Sequence, residues 1–492
     1  MTLDKNKGEN EVNTIGNGEN IKQHLNSPFL HLTNNLNGII LFHRKYILEY
    51  YSYASYHKNP QTLNIIPGVL EEVLNNNIPF KQSVQQANIP AFFTNNYISW
   101  HKVSDHFFQN YKLGISYQAQ TLNSEIKVQQ FDNSINILSD TFSNHLLWHQ
   151  LKWYAEPELR WQKNKNSISI SIPVNFINLS YKEMGLQKYF NRNYLFINPY
   201  LKWIYKVDKE SNIYLSYNFN NSLGSIDQVY YGIIMKDYRN FYSNDGTMQQ
   251  SYNNSIGAGL NFNRSIKIFF FNLHTSYGIN HHNFINTSVL KNDLIQSVSI
   301  PYNNDSRFYT INWNMSKYIF KLKTTLTLKY FFRYDYSKEI QNYVIFPVMN
   351  LSNLYYLGIR PKVAGWLNLN YNIEYSRYNT KSKTENKNSS TYIAQLKQNI
   401  DIDIFPADQI SLKLSGEYYK NKNINGGKIS LYFVDASLKY QFKTKPLDIE
   451  LIFSNITNTS EYYNLSVSQN QVSESSFTLR PKSVLITASY NF

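Results

Sequence analysis

Six stretches of this chain alternate apolar and polar residues with a period of two, and every charge they carry falls on the polar parity. They are Ile213 to Phe219, Leu326 to Tyr336, Leu367 to Tyr375, Ile410 to Tyr418, Val434 to Phe442 and Leu447 to Phe453. In each, every second residue is apolar or aromatic, with Gly416 the sole gap, whereas Lys329, Arg333, Asp335, Glu374, Lys413, Glu417, Asp435, Lys439, Asp448 and Glu450 all take the opposite parity. Period two is the pattern of a strand with two unlike faces. A charge on the lipid face of a membrane barrel costs about 2–4 kcal/mol near the midplane, so one-sided charge is what a lipid-embedded sheet requires. A soluble antiparallel sheet sorts its charges in the same way, and parity alone leaves both open. Length favours the membrane: the longer stretches match the roughly 9–11 residues that cross a bilayer at a tilt and exceed the usual soluble strand of about 5–6.

The connections give a second signal. Short turns are expected at 208–211, 263–265, around Pro361, at 405–409 and at 443–448. They alternate with longer joins at 222–251, 281–303, 378–390, 420–428 and 455–482. A short-turn side and a long-loop side are the anatomy of a bacterial outer-membrane barrel, and the strand spacing implies about 18–22 strands. Helical signals are scarce. The stretch "GVLEEVLNNNI" at 68–78 reads equally as one short helix or as a packed loop.

Composition agrees where it speaks. Tyr 42 and Phe 30 with only 17% charged residues is a strand former's material. No apolar run reaches the length of a membrane-spanning helix, a test that alternating barrel strands escape. Zero cysteines exclude a disulfide scaffold and thiolate metal sites. The net charge of +14 is spread along the chain without a concentrated basic stripe, so no nucleic-acid partner is expected. The opening "MTLDKNKGEN" has no apolar core and no small-residue cleavage site, hence no signal peptide is read there. Residues 1–20 are read as an irregular segment and 21–492 as the barrel domain.

Three runs carry a family likeness: "NSPFLHLTNNLNGIILFHRKYILEYYSYASYHKNPQTLNI", "NNSLGSIDQVYYGIIMKDYRNFYSNDGTMQQSYNNSIGAGLNF" and the ending "LIFSNITNTSEYYNLSVSQNQVSESSFTLRPKSVLITASYNF". They resemble the barrel of TonB-dependent outer-membrane receptors, of the type with a carboxypeptidase-regulatory-like N-terminal domain. The resemblance implies an all-β fold, a large antiparallel transmembrane β-barrel, its ring left incomplete if N-terminal strands are missing. It implies a place in the Gram-negative outer membrane and a lipid bilayer around the wall. It also implies capture of a scarce nutrient by extracellular loops, and TonB contact only through a plug not seen in this sequence. The chain is therefore read as the C-terminal portion of a longer receptor, with a plugless porin-like channel or a surface β-rich adhesin as rivals. In such barrels the last strand resembles a signal to the barrel-assembly machinery, here Val484, Ile486, Ala488, Tyr490 and Phe492.

No catalytic constellation stands out: H-E-x-x-H, the P-loop and G-x-S-x-G are all missing, so neither an enzyme nor a cofactor is expected. His145 and His149 lie in "NHLLWHQLKW", which reads as strand, where residues four apart sit roughly 13 Å from each other and do not share a metal. The aromatics and histidines placed in long loops, Phe241, Tyr242, His281, His282 and Tyr302, are the candidate ligand contacts. Solvated loop residues are the plainer reading of the same positions.

Overall fold

The computed structural model describes residues 2–16, 19–42, 46–244, 246–291, 294–342, 344–383, 388–422, 428–468 and 471–490. The protein is all-β and dominated by one antiparallel sheet of 29 strand segments. Six pairs of these segments are halves of one kinked strand, and three short ones lie in loops. That leaves twenty crossings in one meander, each paired to the next in sequence. The whole wall is an up-and-down order that needs no crossover. Among the described residues its first segment, Thr2–Asn6, pairs only with Phe29–Phe42, and its last, Ser483–Tyr490, only with Leu447–Ser454. Among the described residues the two ends are not hydrogen-bonded to each other.

The parity read from the sequence sorts the two faces. One rung runs Leu412, Leu438, Leu451, Ile486 across four strands, and Leu438 is 43% and Ile486 69% exposed. Another joins Tyr50, Ile98 and Leu113, the last 65% exposed. The apolar face thus turns outward across the sheet instead of closing on a dry core. An apolar surface of this extent marks contact with a membrane or with another protein. The opposite face carries the charges: Lys112 pairs with Glu156 at 2.8 Å, Arg333 with Asp335 at 2.7 Å and Lys439 with Asp448 at 2.9 Å.

Neighbouring residues of one segment show that the charged face is concave. The N–H of Tyr238 donates to Gln23 Oε1 at 3.0 Å, and the carbonyl of Arg239 accepts from the N–H of Ile295 at 2.9 Å. Gln23 and Ile295 belong to the second and twelfth crossings. At about 4.8 Å per strand a flat sheet would hold those crossings roughly 48 Å apart. The sheet must curl until they face each other.

Turns on one side are short, at 104–106, 164–165, 207–211, 265–268, 320–323, 408–409 and 442–446. Longer joins lie on the other side, at 67–81, 130–142, 224–249 and 455–482. Three expectations need correction. Residues 281–303 are not a loop: Phe269–Lys291 and Leu294–Ile319 continue as one long hairpin. The join at 378–390 is also largely strand, since Leu367–Lys383 pairs with Asn388–Ala407 to their ends. Residues 2–16, read as irregular, form Thr2–Asn6 and Glu9–Gly16, both paired into the wall. Polar residues on both faces hid these strands, because beyond the hydrocarbon neither face needs to be apolar. The stretch 68–78 contributes only the four-residue helix Glu71–Leu74.

Two local devices shape the wall. Three adjacent crossings break at X-Pro steps, Ser27-Pro28, Asn59-Pro60 and Ile89-Pro90, each above a run of 13 or 14 residues. Proline has no N–H to give the ladder, so the sheet is free to change direction there. Glycines opposite aromatic rings form the second device. Gly114 lies opposite Tyr154, Gly259 opposite Tyr214 and Gly278 opposite Phe308. In each the ring lies where a Cβ would be, within 2.2–2.4 Å of its ideal position. The ring covers backbone that the glycine leaves bare.

Two outcomes follow. Leu438→Arg should cost about 2–4 kcal/mol, while Ser437→Arg, on the charged face of the same strand, should be tolerated; the check is the yield of heat-modifiable folded protein on gels. Gly114→Ala should cost about 1–3 kcal/mol by displacing the Tyr154 ring. Gly365→Ala, with open space around it, should leave the temperature of gel conversion unchanged.

Candidate functional site: the capped mouth

On the concave face of the long-loop side the sequence pattern changes. Leu122, Ile126, Val128, Leu146 and Trp148 take the parity that lower down carries Lys112, Tyr154 and Glu156, so here the concave face is the apolar one, while Thr121, Asn123, Glu125 and Lys127 make the convex face polar. These side chains are buried. They are covered by the join between Asn212–Leu223 and Gln250–Arg264, which folds over them as a cap. Ile226, Val229, Tyr230 and Met248 pack with Leu146, Trp148, Leu179, Tyr181, Tyr194 and Phe196. Met235 and Phe241 enter a second core with Ile21, Ile65, Leu74, Phe80 and Val128. Burial pushes the Tyr230 phenol well above its ordinary range.

Hydrogen bonds from wall to cap are made mainly by buried side-chain amides. Asn144, 0% exposed, holds both sides of one residue: its Oδ1 accepts from Gly232 N–H at 2.7 Å and its Nδ2 donates to Gly232 O at 3.0 Å. Ser124 Oγ accepts from the same Nδ2 at 2.8 Å. Gln85 Oε1 accepts from Met235 N–H at 2.9 Å, and Tyr181 OH donates to Gly246 O at 2.6 Å. Gly232 is obligatory here, since a Cβ would meet the Ser143 carbonyl at 2.0 Å. Beyond the amides, Asn240–Asn244 adds to Leu294–Ile319 as a parallel strand.

Below the cap, the concave wall is polar. Tyr97 OH donates to Glu49 Oε1 at 2.9 Å, and the Lys112 ammonium lies 5.0 Å from the Tyr97 ring centre. An amide ladder joins Asn253 to Asn280, whose Nδ2 reaches Ser306 Oγ at 3.3 Å. Where the strands break at Pro173 and Pro199, a cavity of about 470 Å³ opens between Lys152, Asn175, Phe196, Asn198, Tyr200 and Asn220. Among the described residues no group of three or more His, Cys, Asp and Glu is placed to hold a metal ion.

The expected contact residues do not form one surface. Phe241 is not an exposed loop aromatic: it is 1% exposed and sits in the second core. Tyr242, beside it, lies under the Lys236 ammonium at 4.1 Å and packs against the first core. His281 and His282 are strand residues on opposite faces. His281 stacks on Tyr252 and bonds to Asp305 on the convex face, and His282 is half-buried against Phe284. Tyr302 lies in the same hairpin, beside the irregularity at His282. His145 and His149 stand apart on one strand, bonded to Asn123 and Tyr117 respectively. Val484, Ile486, Ala488 and Tyr490 are exposed on the last strand, and Phe492 lies outside the described residues. The residues that sequence reasoning missed are Gln23, Gln85, Asn144 and Gly232. For the three amides the signal was available: polar side chains on the concave parity, set among apolar neighbours such as Ile21, Leu146 and Trp148.

No protein-family model and no curated protein matches this chain. Among solved structures it is similar to the ferric citrate transporter FecA in its unliganded form, with 9% identity and a TM-score of 0.48 over 95% of this chain. The chain spans 61% of that protein's length. It is also similar to BauA, the ferric preacinetobactin receptor of Acinetobacter baumannii, at 10% identity and TM-score 0.45, covering 99% of this chain and 74% of that one. For the siderophore receptor PirA of Pseudomonas aeruginosa the values are 9% and 0.39, over 89% and 74%.

Asn144→Ala leaves the Gly232 peptide group buried without its partner and should cost the cap about 1–3 kcal/mol. Limited proteolysis should then cut within 224–249 faster, while the heat-modifiable gel shift of the wall persists.

Proposed function

We propose that this chain is the transport barrel of an outer-membrane nutrient receptor of the TonB-dependent type. The observation that carries the reading is the pairing of an exposed apolar convex face with a polar, ion-paired concave face over twenty crossings. Such a wall is solvated by hydrocarbon outside and by water within. A barrel of this girth is too wide for its own side chains to fill, so it encloses a path. Long joins gathered on one side fit ligand capture there, and the short-turn side fits release toward the periplasm. In this reading a plug gates the lumen and supplies the contact with TonB. The exposed last strand, Val484 to Tyr490, then serves as the seam and the mark read by the assembly machinery. Of the residues expected to touch a ligand, His282 and Tyr302 on the loop side are the ones proposed here.

Two measurements test this. The refolded chain should need detergent to stay in solution and should show heat-modifiable gel mobility; a chain soluble without detergent would instead favour a surface adhesin. Inserted alone into a planar bilayer, it should give a large, weakly selective conductance, and correctly folded protein that stays electrically silent would sink the reading. Solute flux that depends only on size, with no saturable ligand, would favour the porin-like alternative.

A further inference from the structure

The cap leaves the wall at Leu223 and returns at Gln250, on adjacent crossings. Between these points it reaches Gln23 on the second crossing and Ile295 on the twelfth. Ten of twenty steps separate these anchors, so the cap spans the mouth as a chord. The hairpin formed by Phe269–Lys291 and Leu294–Ile319 leans in to meet it. Above the irregularity at His282, Thr287 and Ser288 pair with Ile340 and Gln341, and Ile295–Ser299 is left to take Asn240–Asn244. Inside the chord, 67–81 contributes Leu74 and Phe80 to the same core. One half of the mouth, above crossings two to twelve, is thereby covered.

Apolar packing and one short parallel pairing cover the mouth, and side-chain amides fix where the strap sits. Four of its hydrogen bonds run between three side-chain amides and cap backbone: two from Asn144 to Gly232, one from Gln85 to Met235 and one from Gln23 to Tyr238. Within the covered interface Trp148 Nε1, Glu183 Oε2 and Gln249 Oε1 are buried without a hydrogen-bond partner among the described residues. The wall beneath is held by continuous ladders that do not involve the cap. Release of the cap therefore need not unfold the barrel.

We propose that the segment 224–249 is a built-in gate, a strap held shut by the Asn144, Gln85 and Gln23 amides, whose release uncovers the second half of the lumen. The proposal rests on the transport-barrel reading, and the test separates the two. The chain has no cysteine, so an introduced pair is the sole thiol pair. Ser243 and Val298 are register partners of the parallel pairing, which brings their Cα atoms within the range a disulfide spans. The full-length chain is reconstituted in planar bilayers as wild type, Asn144→Ala/Gln85→Ala, Ser243→Cys/Val298→Cys, and all four substitutions together.

Opening half of the cross-section should raise single-channel conductance about twofold in the amide variant. The oxidised four-fold variant should stay at the wild-type level, and dithiothreitol should restore the increase. In the cysteine pair alone, brief large openings should appear on reduction and vanish on oxidation, which keeps the test alive if the amide variant does not fold. Equal conductance in all folded variants, oxidised or reduced, would overturn the gate and leave the barrel reading standing. No conductance in any folded variant would overturn both.

Discussion

A peptide group in hydrocarbon has no water to bond with, and that single fact organises this protein. Every N–H and C=O in the embedded band must find its partner on a neighbouring strand. The result is a meander in which, between the first crossing and the last, each crossing pairs with the one before and the one after it. Side chains then have two solvents to satisfy at a repeat of two residues. Leu412, Leu438, Leu451 and Ile486 face one, and Lys413, Asp435 and Lys439 the other. Curvature follows from the same demand, since each pairing satisfied moves both ends of the sheet toward each other. Glycines opposite Tyr154, Tyr214 and Phe308 let rings fold down onto the wall instead of standing in its way.

How much of this was legible from sequence depended on which solvent was enforcing the pattern. Within the hydrocarbon band parity is compulsory, and there the strands and their faces were readable from alternation alone. Beyond it, water wets both faces, and strand and loop look alike in sequence. That is why residues 281–303 read as a loop when they belong to a hairpin, and why Glu9–Gly16 read as irregular. The cap was hidden for a different reason. Phe241 looked like a loop aromatic because nothing local announces that Ile21 and Phe80, far away in sequence, will close around it. The counterpart signal lay in the wall, where Leu146 and Trp148 break the polar parity and ask for a cover.

The amide clamps also show how a polar residue specifies a buried interface that apolar contacts leave vague. Ile226, Val229 and Met248 supply most of the dry surface, yet such contacts tolerate sliding. Asn144 does not. Its two bonds to Gly232 fix one residue of the cap against one residue of the wall, and the missing side chain at Gly232 admits the Ser143 carbonyl. Registration of the strap is set at this point, and the parallel pairing with Ile295–Ser299 completes it.

The row of prolines has a consequence of its own. Strand runs of 13 or 14 residues below Pro28, Pro60 and Pro90 rise roughly 30 Å at a barrel's tilt, just past an apolar band about 25 Å tall. The ladder is therefore interrupted at the waterline, where a lost bond can be made good by solvent. In these three crossings the part above that line is joined to the part below by a hinge and not by a continuous ladder, whereas Phe107–Gln129 and Ser143–Lys163 run through the same level unbroken. Along those three staves the rim can lengthen, shorten or tilt at the hinge while the paired residues beneath keep their register.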